Sequence, residues 1–180
     1  MTVIVAVSDG TRVCMAADSQ ATNNGAKATL ARSSAKIVRR GSLLFGCGHL
    51  VLIDAVRHHL PESETAPHSL AMPSFDLASW AAGSFVPWLR EHLRSSGLLD
   101  KGSETASEFP AGLFVAHKSS FVLVDKSTGI LSFAEPFRAL GSGWCEAYGA
   151  MWCRSQHEHV GADEIARTGV EAAIALDSGC

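Results

Sequence analysis

"MTVIVAV", residues 1–7, sets a threonine at the head of an unbroken apolar run. Residues 3–7 form a strand pattern rich in β-branched side chains, Ser8-Asp9-Gly10 is a turn signal, and residues 11–17 are extended again. Together they predict a β-hairpin. Antiparallel pairs commonly wet one face and then alternate apolar with polar residues. This first strand does not alternate, which predicts that both of its faces are covered. A second sheet on one side and helices on the other would do so.

Working outward, residues 19–34 are small and polar, with Asn23-Asn24-Gly25 as a turn. Residues 36–40 and 42–47 read as a second strand pair around Gly41, and Gly48-His49 leads into an apolar stretch of helical length, 50–60. Leu77, Trp80, Ala81, Phe85, Trp88, Leu89 and Leu93 recur with a period near 3.6, predicting a helix over 75–95 with a kink or break at Pro87. Segments 61–73 and 98–110 are surface loops, and 112–117, 121–125 and 130–133 form a meander. Helices follow at 144–156 and 162–176, the second with Asp163 and Glu164 in its first turn, where the helix dipole favours them. The order is strands, two helices, strands, two helices. Such clustering predicts a single α+β sandwich over residues 1–180 rather than a doubly wound fold.

Composition narrows the function classes. Eighteen acidic and fifteen basic residues give a net charge of −3, which supplies no electrostatic reason to expect nucleic acid or an anionic membrane as partner. The chain is 47% apolar but only 18% charged, a balance suited to buried contacts between subunits. Five scattered cysteines (Cys14, Cys47, Cys145, Cys153 and Cys180) show no CxxC pair, so reduced thiols are expected rather than a disulfide framework. With no signal peptide and no membrane-length apolar run, a cytoplasmic location is expected. Gly141-Ser142-Gly143 lacks the rest of a dinucleotide fingerprint, and no P-loop is present. His58-His59 and His157-Glu158-His159 have no third ligand at metal-binding spacing, so neither cofactor nor metal is expected.

Thr2 is the remaining candidate for chemistry. A threonine Oγ is a poor nucleophile until a base takes its proton. Removal of Met1 would free an α-amine with an ordinary pKa of about 7.7–8.0, a base tethered beside the hydroxyl it must activate. A strand then supplies the rigid support that a nucleophile needs.

Five pieces in order sharpen this reading: TVIVAV, the Asp-Gly hairpin leading to AADSQAT, then AKIVRR, GCGH and finally GSG before a helix. They resemble the proteasome β-subunit family of N-terminal-nucleophile hydrolases, above all its bacterial proteasome-like peptidase that partners an unfoldase ATPase. The resemblance runs from Thr2 to Cys180, is densest from Thr2 to Gly48, and implies an α+β fold that is a four-layer αββα sandwich with two antiparallel sheets. It implies that Thr2 is the nucleophile and that Asp18, sixteen residues on, pairs with a lysine matched to Lys36 after a two-residue insertion. It further implies that Gly48 supplies the oxyanion N–H and that Ser142 hydrogen-bonds the terminal amine. Thr22 would pair by its backbone with an extended substrate, and Gly46 would leave the primary pocket roomy. The activity implied is a threonine-type endopeptidase in stacked homo-oligomeric rings of six or seven subunits, acting on unfolded polypeptide with an AAA+ unfoldase as a possible partner.

Two departures from the family pattern stand out. An aspartate expected three residues before Ser178-Gly179 falls on Ala175, with Asp177 as a substitute only after a register shift. The sequence stops at Cys180 where the family continues into a final strand, so that either the strand is missing or the sequence is a piece of a longer chain. The alternatives are a ring-forming homologue without activity, an N-terminal-nucleophile amidohydrolase acting on a small amide, and a plain α+β binding module.

Overall fold

The computed structural model describes residues 2–23, 26–65, 75–98 and 108–176. Strands β1 (Val3–Ser8) and β2 (Val13–Ala17) pair antiparallel as expected, with Ile4 opposite Ala17 and Val7 opposite Cys14. Asp9 closes their turn by accepting hydrogen bonds from the Thr11 and Arg12 amides. The free edge of β1 carries a strand that the sequence pattern does not announce, β10 (Phe137–Gly141), with Val3 opposite Gly141. Its second residue, Arg138, breaks the apolar pattern. The guanidinium is accommodated by stacking 4.4 Å above the centroid of the Phe133 ring, a partner that only tertiary structure supplies.

The polar stretch after β2 contains a small hairpin, β3 (Gln20–Asn23) with β4 (Ala26–Thr29), where a loop was expected. Two residues of the expected turn, Asn24 and Gly25, lie outside the described residues. The second sheet is β5 (Ile37–Arg40), β6 (Leu43–Cys47), β7 (Leu113–His117), β8 (Ser120–Val124) and β9 (Ile130–Leu131), antiparallel throughout and in sequence order.

Helix α1 (Leu50–His59) follows β6 directly. Helix α2 is continuous but irregular: Leu77–Trp80, a π turn over Ala81–Phe85, then Val86–Ser95. Pro87 explains the π turn, since proline cannot donate to the ladder and its ring crowds the carbonyl four residues back. The Val86 amide instead reaches five residues back to the Ala81 carbonyl, so the chain widens by one residue where a kink was expected. The remaining helices, α3 (Trp144–Ser155) and α4 (Ala162–Leu176), lie within a residue of expectation.

Packing sorts these elements into layers. Val3, Val5 and Val7 face Ala147, Met151, Ile165 and Val170 of α3 and α4. Ile4 and Ala6 point the other way, onto Phe114 and Ala116 of β7. The far face of the second sheet, with Phe45, Val115 and Val122, packs on Leu52, Val56, Phe85 and Leu89 of α1 and α2. The order is therefore helices, sheet, sheet, helices. All five residues of 3–7 are buried, and full burial of such side chains stabilises by roughly 1.5–3 kcal/mol each. This is why β1 cannot alternate. No described helix is long and apolar enough to cross a membrane.

Candidate active site

β1 begins at Val3, and Thr2 sits at its mouth, with Oγ1 accepting a hydrogen bond from Lys36 Nζ at 3.0 Å. Lys36 is the last turn residue before β5, and its ammonium also donates to both oxygens of Asp18, at 2.9 and 2.8 Å. Asp18 follows β2 and is tied to β1 in two ways. Its Oδ1 accepts from the Val3 amide at 2.7 Å, while its own amide donates to the Val3 carbonyl at 3.2 Å. Its Oδ2 takes the Gln20 amide at 2.9 Å.

The side chains of Lys36 and Asp18 are only 1% and 2% exposed. Charges so far from water are tolerated when every donor and acceptor is used, and here the three ammonium protons and four carboxylate bonds are all accounted for. The pair holds a fixed positive charge against a hydroxyl oxygen, which favours negative charge developing there.

Gly48 closes the site from the second sheet. A Cβ at this position would lie 2.3 Å from Thr2 Cγ2 and 3.3 Å from Thr2 Oγ1, so only glycine lets the backbone come this near. Gly141, at φ +101°, does the same from β10, where a Cβ would lie 1.8 Å from the Thr2 carbonyl oxygen. The β1–β10 ladder ends at the pair Val3–Gly141, and Ser142 lies in the turn that follows β10. Ser142 itself is exposed.

The other expected residues are placed less directly. Thr22 lies in β3 with its backbone opposite Lys27; β4 covers one edge of β3, and no strand among the described residues covers the other. Gly46 is buried, and a Cβ there would lie 3.1 Å from Ile4 Cγ2 and 3.3 Å from Met15 Sδ, so its smallness serves the approach of the two sheets. Ala175 is exposed in the last turn of α4, while Asp177, Ser178 and Gly179 lie outside the described residues.

A pocket of about 160 Å³, lined by Ala17, Asp18, Leu30, Ala31, Lys36 and Ile37, adjoins the ion pair. A larger cavity of about 580 Å³ opens at the opposite end of β1, beside Ser8 and His117, and contains none of these site residues. Among the described residues no cluster of His, Cys, Asp and Glu could hold a metal. Sequence reasoning missed the amides of Val3 and Gln20, which no side chain signals, and Gly141, which was visible only as a flank of Ser142.

Two antiparallel sheets between two helical layers are a proteasome β-subunit-like fold. Among particular proteins, the chain is similar to Thiobacillus denitrificans BPH, a bacterial proteasome homologue, at 23% identity and a TM-score of 0.75, covering 98% of this chain and 91% of that one. The same protein in complex with epoxomicin gives a TM-score of 0.74 at 23% identity over the same shares of both chains. Eukaryotic HslV from Trypanosoma brucei is similar at 18% identity and a TM-score of 0.61, over 97% of this chain and 91% of that one. No family model and no curated protein matches the chain.

Proposed function

We propose that the chain is a threonine-type endopeptidase subunit of a proteasome-like, self-compartmentalising assembly. The observation that carries the reading is the buried Lys36 ammonium donating at once to Thr2 Oγ1 and to Asp18. Once residue 1 is removed, the Thr2 amine accepts the Oγ proton as Oγ attacks the peptide carbonyl carbon. The Lys36 charge favours the developing alkoxide, and the Gly48 N–H receives the carbonyl oxyanion. The protonated amine then passes its proton to the departing amine of the cleaved peptide, leaving an ester on Thr2. Water, deprotonated by the same amine, hydrolyses that ester and returns the threonine. In this reading Ser142, in the turn just after Gly141, orients the amine. Thr22 is assigned to the substrate cleft through its backbone.

The substrate in this reading is unfolded polypeptide, and the protein works in the cytoplasm as stacked rings of six or seven copies fed by an AAA+ unfoldase. Exposed Trp144 and Trp152 on α3 and Ile174 and Leu176 on α4 support burial of the outer helices against other copies. An inactive ring-forming homologue is the second reading, favoured by alanine at position 175.

A peptide epoxyketone separates the two, since its double adduct requires both a free α-amine and Oγ. Intact mass should show loss of Met1 and one adduct on Thr2. Retained Met1, or a free Thr2 amine that stays unmodified under saturating reagent, refutes the peptidase reading. A monomer in light scattering at micromolar concentration refutes the compartment.

A further inference from the structure

Three consecutive amides pass beneath Thr2 where β6 gives way to α1, and two of them are occupied. The Cys47 amide donates to the Lys36 carbonyl at 3.0 Å. The His49 amide donates to Cys47 Sγ at 3.4 Å, and the same thiol donates to the Gly112 carbonyl at 3.3 Å. Among the described residues nothing accepts from the Gly48 amide between them. Strand alternation sets the thiol on the far side of the wall: Phe45 and Cys47 pack in the core under α1 and α2, whereas Gly46 and Gly48 face the other sheet and Thr2.

We infer that Cys47 is a positioning residue for acyl transfer, whose thiol clamps the His49 amide and the lead-in to β7 so that Gly48 alone presents a free N–H to the carbonyl oxygen. This rests on the peptidase reading above. The thiol is buried and touches no substrate; it acts only through the backbone. Burial pushes its pKa up to about 12, so it stays a neutral donor to Gly112 while its lone pairs remain open to His49. Without the clamp, the half-buried His49 N–H would seek another partner and turn the neighbouring peptide with it.

The test uses the assembled protein with residue 1 removed, a peptide aldehyde, and the matching peptide alcohol. The aldehyde forms a hemiacetal with Thr2 Oγ whose oxygen needs the Gly48 amide, whereas the alcohol binds without it. Cys47→Ala and the near-isosteric Cys47→Val should each weaken aldehyde binding by about 10-fold, part of the 10²–10³ that loss of a whole oxyanion donor costs. Alcohol binding should stay within about twofold. Cys47→Ser, which keeps a donor and an acceptor, should recover most of the loss, and hydrogen exchange at the His49 amide should quicken in the Ala and Val variants but not in Ser. Equal weakening of both ligands, an unchanged aldehyde affinity in a folded Ala or Val variant, or a Ser variant no better than Val would overturn the role. Wild-type protein that forms no aldehyde adduct would instead refute the peptidase reading, and this role with it.

Discussion

Replacing Lys36 by methionine keeps the length of the side chain and removes its charge, so it tests whether the site is built around that ammonium. Three hydrogen bonds disappear, one to Thr2 Oγ1 and two to Asp18. Asp18 stays buried as a carboxylate without its counter-ion. Removing one member of a buried pair costs about 3–5 kcal/mol. The Val3 and Gln20 amides still solvate this carboxylate, which favours the lower end, near ~3 kcal/mol. For a chain of this size each kcal/mol moves Tm by about 2–4 °C, so the variant should melt roughly 6–12 °C below wild type. Arg39→Met, three residues further along at an exposed position, should change stability by no more than about 0.5 kcal/mol. The epoxyketone adduct, followed by intact mass, should form at least ~100-fold more slowly in Lys36→Met, in line with the usual contribution of a positioned proton-transfer or charge-stabilising group. A Lys36→Met protein that melts within a degree or two of wild type, or that is modified at the wild-type rate, would show that the pair neither holds the site together nor activates Thr2.

Two further outcomes follow from the same geometry. Gly48→Ala must push Thr2 aside, costing about 1–3 kcal/mol and abolishing the adduct, whereas Gly149→Ala, with no atom within 4 Å of its new Cβ, should be neutral or stabilising by up to ~1 kcal/mol in a thermal melt. The Cys47 thiol is raised by burial from 9.0 to about 12, so the folded state binds its proton more tightly than the unfolded state does. Its stabilisation is complete below about pH 9 and is lost as pH rises toward 12; melts from pH 8 to 11 should fall more steeply for wild type than for Cys47→Val.

Much of this protein is legible because its local and global signals agree. The unbroken run of residues 3–7 fixes a strand covered on both faces, and the clustered order of elements fixes the sandwich. Thr2, Asp18, Lys36 and Gly48 are legible by type and order, and the structure brings all four together. What stays hidden depends on partners distant in the chain. β10 carries an arginine whose guanidinium lies over Phe133 and beside Glu135, and the β3–β4 hairpin is polar enough to pass for a loop. The π turn before Pro87 is a choice among ways to absorb a missing N–H, and the sequence states the problem without choosing.

By itself, then, the sequence determined a hydroxyl at the head of a buried strand, and its family resemblance implied that Asp18 and Lys36 pair. Tertiary structure decided how near they stand. It set the 3.0 Å between Lys36 Nζ and Thr2 Oγ1, the glycine backbones of 48 and 141 pressed against Thr2, and the thiol that leaves one amide of three unpaired. Period and composition describe faces, and faces persist under small shifts of register. Catalytic distances do not, because they are set where four separate segments meet.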